Sequence, residues 1–111
     1  MKITNTKFED VKIIRTKKNI DSRGYFSEIF NLKTKINFNI KQINLSVSKK
    51  INTFRGLHYQ KGKSAQGKIV GVINGEILDY VICLKKKDRN FGKILKISVK
   101  ENEMKFILIP K

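Results

Sequence analysis

The only histidine of the chain lies in the string Phe54-Arg55-Gly56-Leu57-His58-Tyr59-Gln60. A lone histidine is more often structural or exposed than catalytic, because nothing about a ring nitrogen requires a reaction. Its neighbours alter that balance. Arg55 and His58 are three residues apart, so a regular strand would send them to opposite faces. Gly56 between them permits a bulge or bend that turns both toward one cavity. A guanidinium beside an imidazole suits phosphate binding next to proton transfer. Ten residues on, Lys68 opens the next apolar run in Gln66-Gly67-Lys68-Ile69-Val70. A second polar set lies in Gln42-Ile43-Asn44-Leu45-Ser46-Val47-Ser48. As a strand it would carry Ile43, Leu45 and Val47 on one face and Gln42, Asn44, Ser46 and Ser48 on the other. Gln and Asn are poor strand formers but good hydrogen-bonding groups. The segment is therefore either a half-exposed strand with a wet outer face or the inner wall of a polar pocket. A β-barrel mouth is a common place for such a pocket.

The elements that must hold these groups read as strands. In Lys93–Lys100, Leu95, Ile97 and Val99 share one face, while Lys96, Ser98 and Lys100 share the other. The runs Lys68–Ile73 and Glu76–Leu84 flank Asn74-Gly75. Asn-Gly is the strongest short hairpin signal, because a type I′ turn needs positive φ at both central residues. Asn102 marks another turn, leading into Met104–Ile109. Helical spacing of apolar residues is hard to find anywhere. Short strands at even spacing predict an all-β sandwich or barrel.

At 111 residues the chain has room for one domain, spanning 1–111, with 40% hydrophobic residues to build its core. No apolar run approaches the length of a membrane-spanning helix, and residues 1–5 lack the features of a secretory signal. A soluble cytoplasmic protein with no membrane partner is expected. One cysteine and one histidine allow no intrachain disulfide and argue against a metal site. The formal charge of +16 first suggests nucleic acid. Yet the 25 basic residues are 21 Lys and 4 Arg, scattered along the chain and accompanied by 17 Ile and 10 Asn. Those three residue types are what AT-rich codons encode, so the charge alone is a weak footprint, and no nucleic-acid partner is expected. The run Lys85-Lys86-Lys87 reads as a solvated turn. The four arginines, kept against that drift, are the more informative basic residues.

Several strings together resemble the dTDP-4-dehydrorhamnose 3,5-epimerase family. Arg55-Gly56-Leu57-His58-Tyr59-Gln60 followed by Gln66-x-Lys68 is the most specific. Asp21-Ser22-Arg23-Gly24-Tyr25-Phe26-Ser27-Glu28 is similar to the family's D-x-R-G-x-F-x-E, and Gln42-x-Asn44-x-Ser46 to its Q-x-N-x-S strand. Asn74–Asp79, Phe91-Gly92 and Ile109-Pro110 also fall in the family's order, so the likeness runs from about Phe8 to Lys111. The resemblance implies a cupin-type double-stranded β-barrel, or jelly roll, working without metal or other cofactor.

It further implies a nucleoside-diphosphate 4-keto-6-deoxy sugar as substrate, epimerised at carbons 3 and/or 5. The C4 ketone acidifies the neighbouring protons, a base removes one, and a proton returns to the opposite face of the enolate. By resemblance His58 is that base; imidazole suits the role, being largely neutral yet basic at pH 7. Lys68 matches a substrate position suited to stabilising the enolate. Arg23 and Arg55 match positions that bind substrate, where guanidinium geometry suits its diphosphate. Glu28, Gln42 and Asn44 match further substrate contacts. Relatives are usually homodimers, and a homodimer is the implied assembly.

The resemblance also has departures. Family members continue past the Ile-Pro for roughly another two-fifths of the domain. There they carry a second histidine, a tyrosine proton donor and an aspartate that orients the base. Tyr25, Tyr59 and Tyr80 lie in other motifs, so the donor is not assigned. Cys83 stands where relatives usually carry aspartate. The expectation is a barrel incomplete at its C-terminus, weakly active or inactive alone. An impaired nucleotide-sugar-binding module, or one fragment of a split epimerase, is the second reading. A basic nucleic-acid binder, marked by steep salt dependence, is the third.

Overall fold

Turn residues and short apolar alternations divide the chain into eight strands. In chain order they are β1 (Lys2–Asn5), β2 (Lys12–Arg15), β3 (Asn19–Asp21), β4 (Gly24–Phe26), β5 (Lys68–Gly71), β6 (Glu76–Ile82), β7 (Ile94–Lys100) and β8 (Lys105–Ile109), with one 3-10 turn at Gly62–Ser64. The computed structural model describes all residues of 1–111 except Leu32, Thr34, Lys35 and Asn37. Among the described residues there is no α-helix, and the all-β architecture is the one expected.

The strands form three antiparallel ladders: a sheet of order β1-β2-β8-β5, and the ribbons β3-β4 and β6-β7. In the sheet, β8 is central. Ile107 lies opposite Ile13 on β2 and Val70 on β5. A strand covered on both faces reads as a continuous apolar run, as Phe106-Ile107-Leu108-Ile109 does, and none of its residues is exposed. β7 has one wet face instead. Leu95 and Val99 are buried and Ile97 half-buried, while Lys96 and Lys100 face solvent, as the alternation predicts.

The core joins sheet and ribbon. Val81, Leu95, Val99 and Ile107 are buried together with Phe8 and Val11 from the β1–β2 connection. Thr6 fixes that connection: its Oγ1 accepts the Phe8 N–H at 3.0 Å and lies 2.9 Å from the carbonyls of Phe8 and Val11. Cys83 packs against this cluster as a small apolar side chain. Two glycines permit close packing. A Cβ at Gly71 would collide with the ring of Phe106, its partner across the ladder, and one at Gly67 would meet the Phe38 ring at 2.7 Å.

Three local expectations are corrected. The Asn74-Gly75 turn does not close a hairpin: β5 pairs with β8, and β6 pairs with β7. Gly75 has φ +85° but Asn74 is not in the positive-φ region, so the type I′ geometry is not met. The turn carries the chain between sheets and is clamped by Glu101, whose N–H donates to the Gly75 carbonyl at 2.8 Å. Second, Gln42–Ser48 joins no ladder and every residue in it is exposed, so Ile43, Leu45 and Val47 form no buried strand face. Third, the two expected runs stop early, at Gly71 and Ile82. The Lys85–Lys87 run is an exposed turn region, with Lys85 paired to Asp10 at 2.7 Å.

Candidate functional site

Arg23 and His58 take their positions from a local turn and a local bend. Arg23 sits at the tip of the β3-β4 hairpin, where Gly24 (φ +134°) completes the reversal. Asp21 accepts the Arg23 N–H at 2.9 Å and pairs with its guanidinium at 2.7 Å. Those bonds from Arg23 hold the Asp21 carboxyl below its ordinary value. The arginine is thus held by its neighbour while its side chain remains 88% exposed. Glu28, just past β4, is exposed and accepts a bond from Asn31 Nδ2 at 3.2 Å.

Gln42 and Asn44 meet on the same side of their extended segment, Gln42 Nε2 donating to Asn44 Oδ1 at 2.9 Å. Arg55 ties this segment to the one bearing the histidine. Its Nε donates to Ser48 Oγ and its terminal nitrogen to the Val47 carbonyl, both at 3.0 Å. Gly56 then bends the chain at φ +136°, in a region side-chain-bearing residues rarely adopt. The bend folds the His58 ring back on the glycine: a Cβ there would lie 3.7 Å from Nδ1. The ring is exposed, and among the described residues it has no hydrogen-bond partner. Lys68 is the first residue of β5, opposite Ile109, with its side chain in solvent.

Arg55 therefore connects the Gln42–Ser48 segment with the His58 segment. Arg23, Glu28 and Lys68 bond or pair only with residues other than these. One residue was missed as a site candidate. Asp79 shares a β6 face with buried Val81 and is half-buried, and burial pushes its carboxyl above the ordinary value. The Lys68 ammonium acts in the opposite sense, favouring the carboxylate. An acid at i−2 from an apolar core position was the signal in the sequence. A cavity of about 300 Å³ elsewhere, between Lys7, Glu9 and Lys87–Asn90, contains none of these residues. Its lining residues are all polar or charged, unlike the mostly apolar set that lines small-molecule pockets. Among the described residues no cluster of three His, Cys, Asp or Glu side chains could hold a metal ion. No helix among them is long and apolar enough to cross a membrane.

Comparison with known proteins places this geometry. A crystal structure of a dTDP-4-dehydrorhamnose 3,5-epimerase from Bacillus anthracis, with TDP and PPi bound, superposes with TM-score 0.93 at 32% identity. The match covers 99% of this chain and 65% of that one. A dTDP-6-deoxy-D-glucose-3,5-epimerase from Legionella pneumophila, in complex with dTDP-4-keto-L-rhamnose, gives TM-score 0.89 at 34% identity, over 99% of this chain and 60% of that one. The dTDP-4-dehydrorhamnose 3,5-epimerase of Salmonella typhimurium is 35% identical over 99% of this chain and 62% of its own. The chain thus spans about three-fifths of the length of the curated relatives it matches. A family profile described as dTDP-4-dehydrorhamnose 3,5-epimerase matches residues 5–111. With that profile spanning nearly every residue, and the jelly-roll strands superposing on solved epimerases, the chain belongs to the dTDP-4-dehydrorhamnose 3,5-epimerase family.

Proposed function

We propose that the chain, as a single domain over residues 1–111, supplies the substrate-binding and proton-abstracting part of a nucleotide-sugar epimerase. The reaction is epimerisation of a nucleoside-diphosphate 4-keto-6-deoxy sugar at carbons 3 and/or 5, of the kind used in making dTDP-L-rhamnose. His58 takes the proton that the C4 ketone has acidified. Lys68 stabilises the enolate oxygen by its positive charge. Arg23 and Arg55 hold the diphosphate, where paired guanidinium donors fit two oxygens at once. Glu28, Gln42 and Asn44 take the nucleoside or the sugar hydroxyls. No metal or cofactor is required, since the substrate's own ketone supplies the electron sink. The working enzyme is a cytoplasmic homodimer.

One observation carries the reading. The Arg55–His58 string is bent at Gly56 and bonded through Arg55 to the segment of Gln42 and Asn44. It does so within a chain that superposes on an epimerase holding dTDP-4-keto-L-rhamnose. A general base contributes about 10²–10⁴-fold to such a proton transfer. Deuterium wash-in at carbons 3 and 5 from heavy water tests it, compared between the parent protein and His58→Asn. The substitution should reduce wash-in about a hundredfold or more; undiminished exchange removes His58 from the base role.

A further inference from the structure

The β3-β4 hairpin buries no face of its own. Every residue of Asn19–Asp21 and Gly24–Phe26 is exposed, and none joins the core cluster. The two strands pair with each other and with no third strand. A lone two-stranded ribbon is at best marginally stable in water, so packing does not fix where its tip points. Yet that tip carries Arg23, with its side chain 88% exposed. Something other than packing must aim it.

Two side-chain ties do so. At the base, Thr16 Oγ1 lies 2.7 Å from Ser27 Oγ, and the Thr16 N–H donates to the Met104 carbonyl at 3.1 Å. A ribbon held only at its base still swings about that point. Among the described residues one hydrogen bond leaves the hairpin itself: Tyr25 Oη donates to Asn102 Oδ1 at 2.9 Å, across 77 residues of chain. Lys18 Nζ, 4.3 Å from the centre of the Tyr25 ring, adds a cation–π contact. Asn102 can serve as the anchor because its backbone is itself fixed. It takes φ +64°, which asparagine tolerates better than most residues, in a turn closed by the Glu103 N–H on the Lys100 carbonyl at 3.3 Å. Glu101 ties one side of that turn to Gly75. Glu103 ties the other to the Lys100 N–H at 3.1 Å and to Lys105, whose side chain is 12% exposed. Tyr25 also fills an unspecified position of the D-x-R-G-x-F-x-E string, so the motif does not require a hydroxyl there.

We propose that Tyr25 and Asn102 are positioning residues for diphosphate binding, latching the hairpin to the β7-β8 turn so that Arg23 is aimed; this rests on the reading of Arg23 as a diphosphate ligand. Neither residue touches substrate. A guanidinium grips two oxygens only from a narrow set of directions, and a hairpin free to swing adds an ordering cost to binding.

The test is calorimetric titration of dTDP into the 111-residue protein, into Tyr25→Phe and Asn102→Gly, and into each of these combined with Arg23→Gln. Phenylalanine keeps the ring beside Lys18, and glycine keeps the backbone angle at 102, so both variants retain the fold. Each should bind dTDP about fivefold more weakly than the parent. Neither should weaken binding further once Arg23 is glutamine, with Arg55 left to hold the diphosphate. The proposal is overturned if either variant binds as the parent does. It is equally overturned if either still weakens binding in the Arg23→Gln background, the mark of a merely structural effect. A parent that binds no dTDP overturns the functional reading and the latch together, whereas a binding parent with indifferent variants overturns the latch alone.

Discussion

Arg55 reaches back along the chain to Ser48, its Nε 3.0 Å from the serine Oγ, and donates a second bond to the neighbouring Val47 carbonyl. The bridge crosses two segments that share no backbone ladder, so a side chain does here what sheet pairing does elsewhere in the fold. It ties the segment that carries His58 to the end of the segment that carries Gln42 and Asn44. A guanidinium can do this because its donors are fixed in one plane and point to two acceptors at once.

Arg55→Lys keeps the charge and loses the fork. The expected result is faster amide exchange in 54–60 and roughly tenfold weaker binding of dTDP by calorimetry, as for loss of one charge-assisted bond. Unchanged exchange and affinity would show that the bridge positions nothing.

Asp79 makes stability depend on pH with a definite sign. Its folded carboxyl lies above the ordinary value, chiefly through burial. As pH rises past the ordinary aspartate range, the unfolded chain releases this proton first, so folding stability falls until the folded group has also ionised. Asp79→Asn should raise the melting temperature at pH 7, and the gain should shrink to nothing well below pH 4. A gain that is the same at every pH would assign it to packing instead.

Gly71 faces the Phe106 ring across the β5-β8 ladder with no room for a methyl group. Gly71→Ala is expected to cost about 1–3 kcal/mol by overpacking, read from denaturant midpoints. Phe106→Leu in the same chain should return part of that loss. If Gly71→Ala is neutral, the ring has free space to move into.

Turnover by the 111-residue protein alone should be slow. His58, Arg55 and Arg23 stand in water, where an enolate gains little from charges that solvent screens. A coupled assay with dTDP-4-keto-6-deoxyglucose reports the rate. Ordinary epimerase rates would mean that the exposed arrangement is already sufficient.

Much of the fold was legible in one dimension. The period-two pattern of β7 placed Leu95, Ile97 and Val99 inward, and burial agrees, because alternation along a strand is a local geometric fact. The motif strings around Arg23, Gln42 and His58 were equally readable, since side-chain type and spacing are properties of the chain itself. Pairing was not. Asn74-Gly75 carries a hairpin signal, yet β6 finds its partner in β7 and β5 finds its partner in β8, because a turn dipeptide states only where the chain bends. The bare state of Gln42–Ser48 was hidden for the same reason: alternation offers a face to bury, and only a neighbouring strand buries it. Asp79 completes the contrast. Its residue type and parity were in the sequence, but its displaced carboxyl depends on the packing around β6. Local geometry was thus set by residue order, while ladder partners and buried charge were decided by contacts between residues far apart in the chain.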